Sequence, residues 1–233
     1  MRGNFQRGTG IPPVGLKRGA FTLLELLIVI GLIVLLVAGI GFSLGDTAGN
    51  ALSSGQNTLA SLCATARAQA ALHQTDARLL VYATPPPRGD AEKYLRLLQV
   101  FRTDPANDSQ WIAAGPAVFL PRGIYVVPPT TTGLIAAGIN WPTSPPLTSS
   151  LSSESGPNSP NGTAFAGAAN VLSLGFHPDG SVEKMAGTAP ARLVVATATT
   201  ANNLPQFNNP GAVRGLLIRA TGAIGFANDA NGF

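Results

Sequence analysis

Between Phe21 and Leu44 the chain runs for about 24 residues with a single charged side chain, Glu25, and this apolar segment constrains the fold more than any other feature. At about 1.5 Å of rise per residue, a helix of that length reaches roughly the 30 Å thickness of a bilayer's hydrocarbon core. The stretch before it, residues 1–20, holds Arg2, Arg7, Lys17 and Arg18 and no acid. By the positive-inside rule that stretch stays cytoplasmic, which places everything beyond Leu44 on the far side of the membrane. The same four cations account for the whole formal charge of +4, so the remainder is neutral on paper and the high pI says little about partners. A carboxylate in such a segment costs about 2.5 to 3.5 kcal/mol or more unless it is neutralised. Neither an ordinary secretory signal, whose apolar core runs about 7 to 15 residues, nor a plain signal anchor accounts for Glu25.

The stretch "RGAFTLLELLIVIGLI", residues 18–33, resembles the class III signal of type IV pilins and type II secretion pseudopilins. In that signal a basic leader meets an aromatic-Thr-Leu-aliphatic-Glu core, and Phe21, Thr22, Leu23, Leu24 and Glu25 match it in order after Lys17, Arg18 and Gly19. The resemblance implies that a prepilin peptidase cuts between Ala20 and Phe21, discards residues 1–20 and methylates the new amino terminus at Phe21. This chain has Ala20 where the family usually has Gly, with Gly19 one place earlier, so a cut after Gly19 is a minor alternative. The resemblance also implies that Glu25 pairs with the amino terminus of a neighbouring subunit as subunits stack, which turns the cost of a buried charge into a drive towards assembly. The implied partners are the prepilin peptidase, other pilin or pseudopilin subunits, the inner membrane and a secretion or pilus assembly platform. The implied location is a single-pass inner-membrane protein with its globular part in the periplasm.

Beyond the apolar run, "NTLASLCATARAQAALH" (57–73) is rich in helix formers and sets Leu59, Leu62, Ala66 and Ala70 on one face. The glycines between, Gly41, Gly45, Gly49 and Gly55, each cost a helix up to about 1 kcal/mol, so a bend or break is expected there. The periodicity then changes to short β-branched or aromatic runs at 77–83, 93–103, 117–127, 170–177, 180–185, 191–199, 215–221 and 223–227, with turn signals at "HPDG" (177–180) and at Thr221 and Gly222. Charged residues are only 11%, against 27 Gly and 19 Pro, which excludes a coiled coil and a charge-rich disordered chain. The expected fold is α+β: a long N-terminal helix, its first half membrane-spanning, packed on a mostly antiparallel β-sheet domain of pilin-like form. The expected divisions are a leader at 1–20, a transmembrane and assembly helix at 21–44, the second half of that helix at 45–75, and a β domain at 76–233. A long Pro-, Ser- and Thr-rich loop is expected at about 128–168, in which Trp141 serves local packing. A helix ending in "ARAQAALHQTDARLLVY", then "LGFHPDGSVE" and "LLIRATGAIGF", is similar to the H-type minor pseudopilins and the related FimT-like minor pilins.

Little in the sequence supplies catalytic chemistry. His73 and His177 are far apart, Cys63 is the single cysteine, no carboxylates cluster along the chain, and no GxSxG elbow is present. No metal, cofactor or enzymatic activity is therefore expected; Cys63 reads as a small helix residue, His177 as a hairpin-end residue, and Asp229 alone is too little for a calcium site. A DNA-binding minor pilin is the alternative on the same scaffold, with Arg214 and Arg219 as candidates. Two arginines in a neutral chain are a weak footprint, which argues against nucleic acid as a partner. A membrane-anchored β-domain protein with an uncleaved signal is the other alternative.

Overall fold

The computed structural model describes residues 23–43, 47–156, 164–183 and 190–233. The chain divides into two compact units, residues 1–45 and 46–233. The described part of the first is one helix, α1 (Leu23–Ser43). The second opens with α2 (Thr47–His73) and continues through β1 (Ala77–Tyr82), β2 (Leu97–Asp104), β3 (Asn107–Ala113), β4 (Val118–Phe119), β5 (Ile124–Val126), β6 (Ser152–Ser155), β7 (Asn170–Phe176), β8 (Ala191–Ala201), β9 (Leu204–Phe207), β10 (Val213–Ile218) and β11 (Ile224–Ala227). A single 3-10 turn (Ala230–Gly232) closes the chain.

This corrects the expected fold class. Among the described residues strand outweighs helix, the helical residues fall in two helices instead of one long N-terminal helix, and no helix is long and apolar enough to cross a membrane. The physical reason lies in the residues around the break: glycines recur at 41, 45 and 49, and the opening of α2, "TAGNALSSGQNT", is polar. Local propensity does not carry one apolar rod through that interval. Inside the second unit, however, tertiary packing overrides propensity. Gly55 is buried within α2, where an added Cβ would lie 3.1 Å from Ile124 Cγ2, so its missing side chain lets the helix approach β5.

The strands form two antiparallel sheets, one in the order β3-β2-β1-β7-β6 with β4 also on β2, the other β11-β10-β8-β5 with β9 also on β8. α2 packs on both, touching β1 and β2 in the first and β8 and β10 in the second. Its buried stripe is Leu52, Gln56, Leu59, Cys63, Ala66 and Ala70, at steps of three and four. Leu62, expected on that stripe, is only half-buried, and Cys63 takes the core position. Gln56 is the polar member: its Nε2 donates to Gly215 O at 2.8 Å and Ala227 O at 2.9 Å, tying α2 to β10 and β11. Burial pushes the Cys63 thiol up from its ordinary 9.0 to about 12. Below about 9 the thiol is protonated in folded and unfolded chains alike. Between about 9 and about 12 only the unfolded chain ionises, so this group removes stability as pH rises through that window. Iodoacetamide at pH 8 is expected to leave Cys63 unmodified in the folded chain and to alkylate it fully in guanidinium, as read by intact mass; equal rates in both states would place Cys63 outside the core.

The segment at 128–168 is not simply a solvated loop. Leu134, Trp141, Leu147 and Leu151 are buried, and Ser152–Ser155 pairs with β7 as β6. Ser149 is also buried: its amide donates to Val127 O at 3.0 Å and its hydroxyl accepts from Val194 N at 2.9 Å, while Ser150 N donates to Arg192 O at 2.7 Å. The segment thus runs alongside β8 as an irregular extra strand. Residues 157–163 of it lie outside the described residues.

Candidate functional site

Six positions of the sequence motif, Lys17, Arg18, Gly19, Ala20, Phe21 and Thr22, lie outside the described residues; Leu23, Leu24 and Glu25 form the first turn of α1. An acid in the first turn suits the positive end of the helix dipole. From Leu23 to Ile33 every described side chain of α1 is exposed, and the large apolar ones range from 47% to 81%. A helix that is apolar all round is stable in water only when something covers it. The arrangement therefore offers a greasy cylinder with one carboxylate at its start, a geometry suited to packing against other apolar helices and to fixing their offset through a single charge.

In the β domain, a cluster joins residues distant in sequence. Arg78 on β1 donates to Glu154 of β6 at 2.7 Å and to Glu183 at 3.4 Å, and its guanidinium lies 4.5 Å from the centre of the Trp111 ring on β3. Glu154 also accepts from the Ser173 hydroxyl at 2.5 Å. Gly175, beside Arg78 on β7, leaves the space that Glu183 fills. A small cavity of about 90 Å³ opens there, lined by Arg78, Trp111 and Glu154 among others. With two carboxylates and an aromatic face already on it, the cation fastens strands across the sheet and is not poised for chemistry. Sequence reading found no clustered carboxylates because these members are 76 and 105 positions away from Arg78.

The other singled-out residues have structural roles. His177 leads the expected turn, where Gly180 N donates to His177 O at 2.8 Å and Gly180 has a φ of +80°, and its Nδ1 lies 2.9 Å from Asp76 Oδ1. Hydrogen bonds from Ser181 hold the exposed Asp179 carboxyl in that turn below its ordinary value. Of the strand expected at 180–185, residues 184 and 185 lie outside the described residues, and the described part makes one bridge, between Phe176 and Val182. His73 is exposed in the last turn of α2. Asp229 accepts from Asn231 N at 2.9 Å and caps the closing 3-10 turn. Among the described residues no three His, Cys, Asp or Glu side chains gather in a group that could hold a metal. Arg214 donates to the Ser53 hydroxyl on α2, which engages it within the fold, while Arg219 is exposed where the β10–β11 hairpin turns. Trp141 is buried, its Nε1 donating to Leu147 O at 3.0 Å and its ring centre 5.5 Å from that of Phe207.

Compared with protein-family models, curated proteins and solved structures, the chain matches none of them. The functional argument rests on its own residues.

Proposed function

We propose that this chain is a pilin-like filament subunit of the minor pseudopilin type, matured by a prepilin peptidase and assembled into a type II secretion pseudopilus or a type IV pilus-like filament. The observation that carries the reading is the Leu23–Ile33 stretch of α1: exposed apolar side chains on every face, with Glu25 in its first turn, directly continuing the Phe21–Glu25 core of the sequence. In this reading the working residues are Ala20 and Phe21 for processing and Glu25 for assembly, and the role is structural, not catalytic. The β domain, in the periplasm, presents a shaped surface to neighbouring subunits. H-type subclass membership belongs to the same proposal and draws on the α2-to-β1 junction, the "HPDG" turn and the closing β10–β11 hairpin.

The reading is tested by expressing the full chain, epitope-tagged, with a prepilin peptidase and an assembly platform, then shearing and sedimenting the filaments. The chain is expected in the sheared fraction only when the peptidase is present. Retention of the whole population in the cell envelope while filaments form without it would overturn the reading.

A further inference from the structure

The β11 edge of the second sheet is short, but it carries neither charge nor proline. Natural sheets blunt their margins with charge, proline, short length or a covering segment. β3 opens with the polar "NDSQ", β6 reads "SSES", and β9 contains Pro205. β5 is covered, since Val126 N donates to Leu95 O at 2.8 Å. β11 reads "IGFA", with no charge and no proline.

The hairpin fixes which groups of β11 face outward. Arg219 N donates to Ala223 O at 2.9 Å and Gly222 N to Arg219 O at 2.8 Å, and the register then sets Leu217 opposite Gly225 and Gly215 opposite Ala227. Hydrogen-bonded pairs alternate along an antiparallel ladder. Ile224 and Phe226, opposite Ile218 and Leu216, therefore direct their N–H and C=O groups away from β10. Among the described residues no strand pairs with that side.

Beside this edge runs a groove of about 390 Å³, walled by Ala64, Ala68 and Ala71 of α2 and by Ala223 and Ile224. The small alanine side chains make the room. Arg67, also lining the groove, rests against Gly180 and Gly222 and forms no salt bridge among the described residues. Leu72 of α2 and Phe226 of β11, outside the groove lining, are exposed by 73% and 54%.

We propose that the groove between α2 and the outer edge of β11 receives an extended peptide segment of a partner protein, which adds to β11 as a further strand and sets a carboxylate against Arg67. Main-chain pairing with Ile224 and Phe226 supplies affinity, alternate side chains enter the alanine-walled groove, and the guanidinium selects an acidic side chain or a free carboxyl terminus. A nucleic acid or a second helix would leave the outward amides and carbonyls of β11 unanswered. The lining residues all belong to the unit at 46–233, and the test does not depend on filament assembly.

The probe is a displayed library of random eight-residue peptides with free carboxyl termini, selected against the full chain, with the enriched peptides synthesised for fluorescence polarisation. Enrichment of alternating apolar sequences that carry an acid or use the terminal carboxylate is expected. Arg67→Glu, on an exposed helix position, is expected to weaken them at least about tenfold, the value of roughly 1.4 kcal/mol. Phe226→Pro removes an outward N–H without touching the internal ladder and is expected to abolish binding. Peptide binding is also expected to slow amide exchange at Ile224 and Phe226, a readout that stands if the proline variant fails to fold. No enrichment, or peptides that bind Arg67→Glu as tightly as the unaltered chain and leave the exchange of Ile224 and Phe226 unchanged, would overturn the proposal.

Discussion

Glu25→Ala is expected to leave processing intact while cutting recovery of the chain in sheared filaments by at least about tenfold. The argument is electrostatic. In a packed bundle of α1 helices, the carboxylate and the amino terminus of an adjacent copy are each tolerable only with the other present, and removing one member of a buried pair costs about 3 to 5 kcal/mol. A factor of ten in recovery needs only about 1.4 kcal/mol of that. Glu25→Gln keeps the shape and loses the charge, so it is expected to fail alike; Glu25→Asp is expected to recover part of the signal. Filament recovery of Glu25→Ala equal to that of the unaltered chain would remove the charge pairing from the account.

Trp141→Ala is the second large effect, expected on stability and not on processing. The indole is 8% exposed, its N–H satisfied by Leu147 O at 3.0 Å and its ring centre 5.5 Å from that of Phe207. Truncation leaves a cavity, orphans a carbonyl and loosens the segment that runs beside β8, for a cost of about 3 to 5 kcal/mol. Guanidinium unfolding of the full chain, followed by far-UV circular dichroism, reads this as a lower midpoint with unchanged slope. A loss below about 0.5 kcal/mol would mean that the segment around 128–168 is a surface loop after all.

How much of this was legible in the sequence depends on what each residue faces. β1, β7, β8, β10 and β11 stand within a few residues of their expected places, because each carries an apolar run against the core or a marked turn. β3, β6 and β9 have no such run; each pairs with one neighbour only, and "SSES" faces water over most of its length. An edge strand is specified by its partner's open hydrogen bonds more than by its own side chains. β2 begins at Leu97, later than its pattern suggests, because Lys93–Arg96 form a turn in which Arg96 N donates to Lys93 O at 3.0 Å and Leu95 takes a φ of +57°. On α2 the count slipped by one, since helical steps from Leu59 lead to Cys63 as well as to Leu62, and only packing chooses between them. The long helix expected over 21–75 gave way, among the described residues, to two helices, α1 within the apolar run and α2 beyond it, the second specified by contacts with both sheets. The motif behind the proposed assembly role is a run of consecutive residues that the sequence displays directly, whereas the Arg78 cluster and the β11 groove exist only once strands far apart in the chain are paired.

The central claim is that cleavage exposes an amino terminus at Phe21 whose charge meets Glu25 of another copy. Intact-mass and N-terminal peptide mass spectrometry of the chain, extracted from cells with and without a prepilin peptidase, tests it most directly. The account predicts a chain that begins at N-methylated Phe21 when the peptidase is present and retains residues 1–20 when it is absent. The same leader-bearing chain under both conditions, or a cut near Ala48, would contradict it.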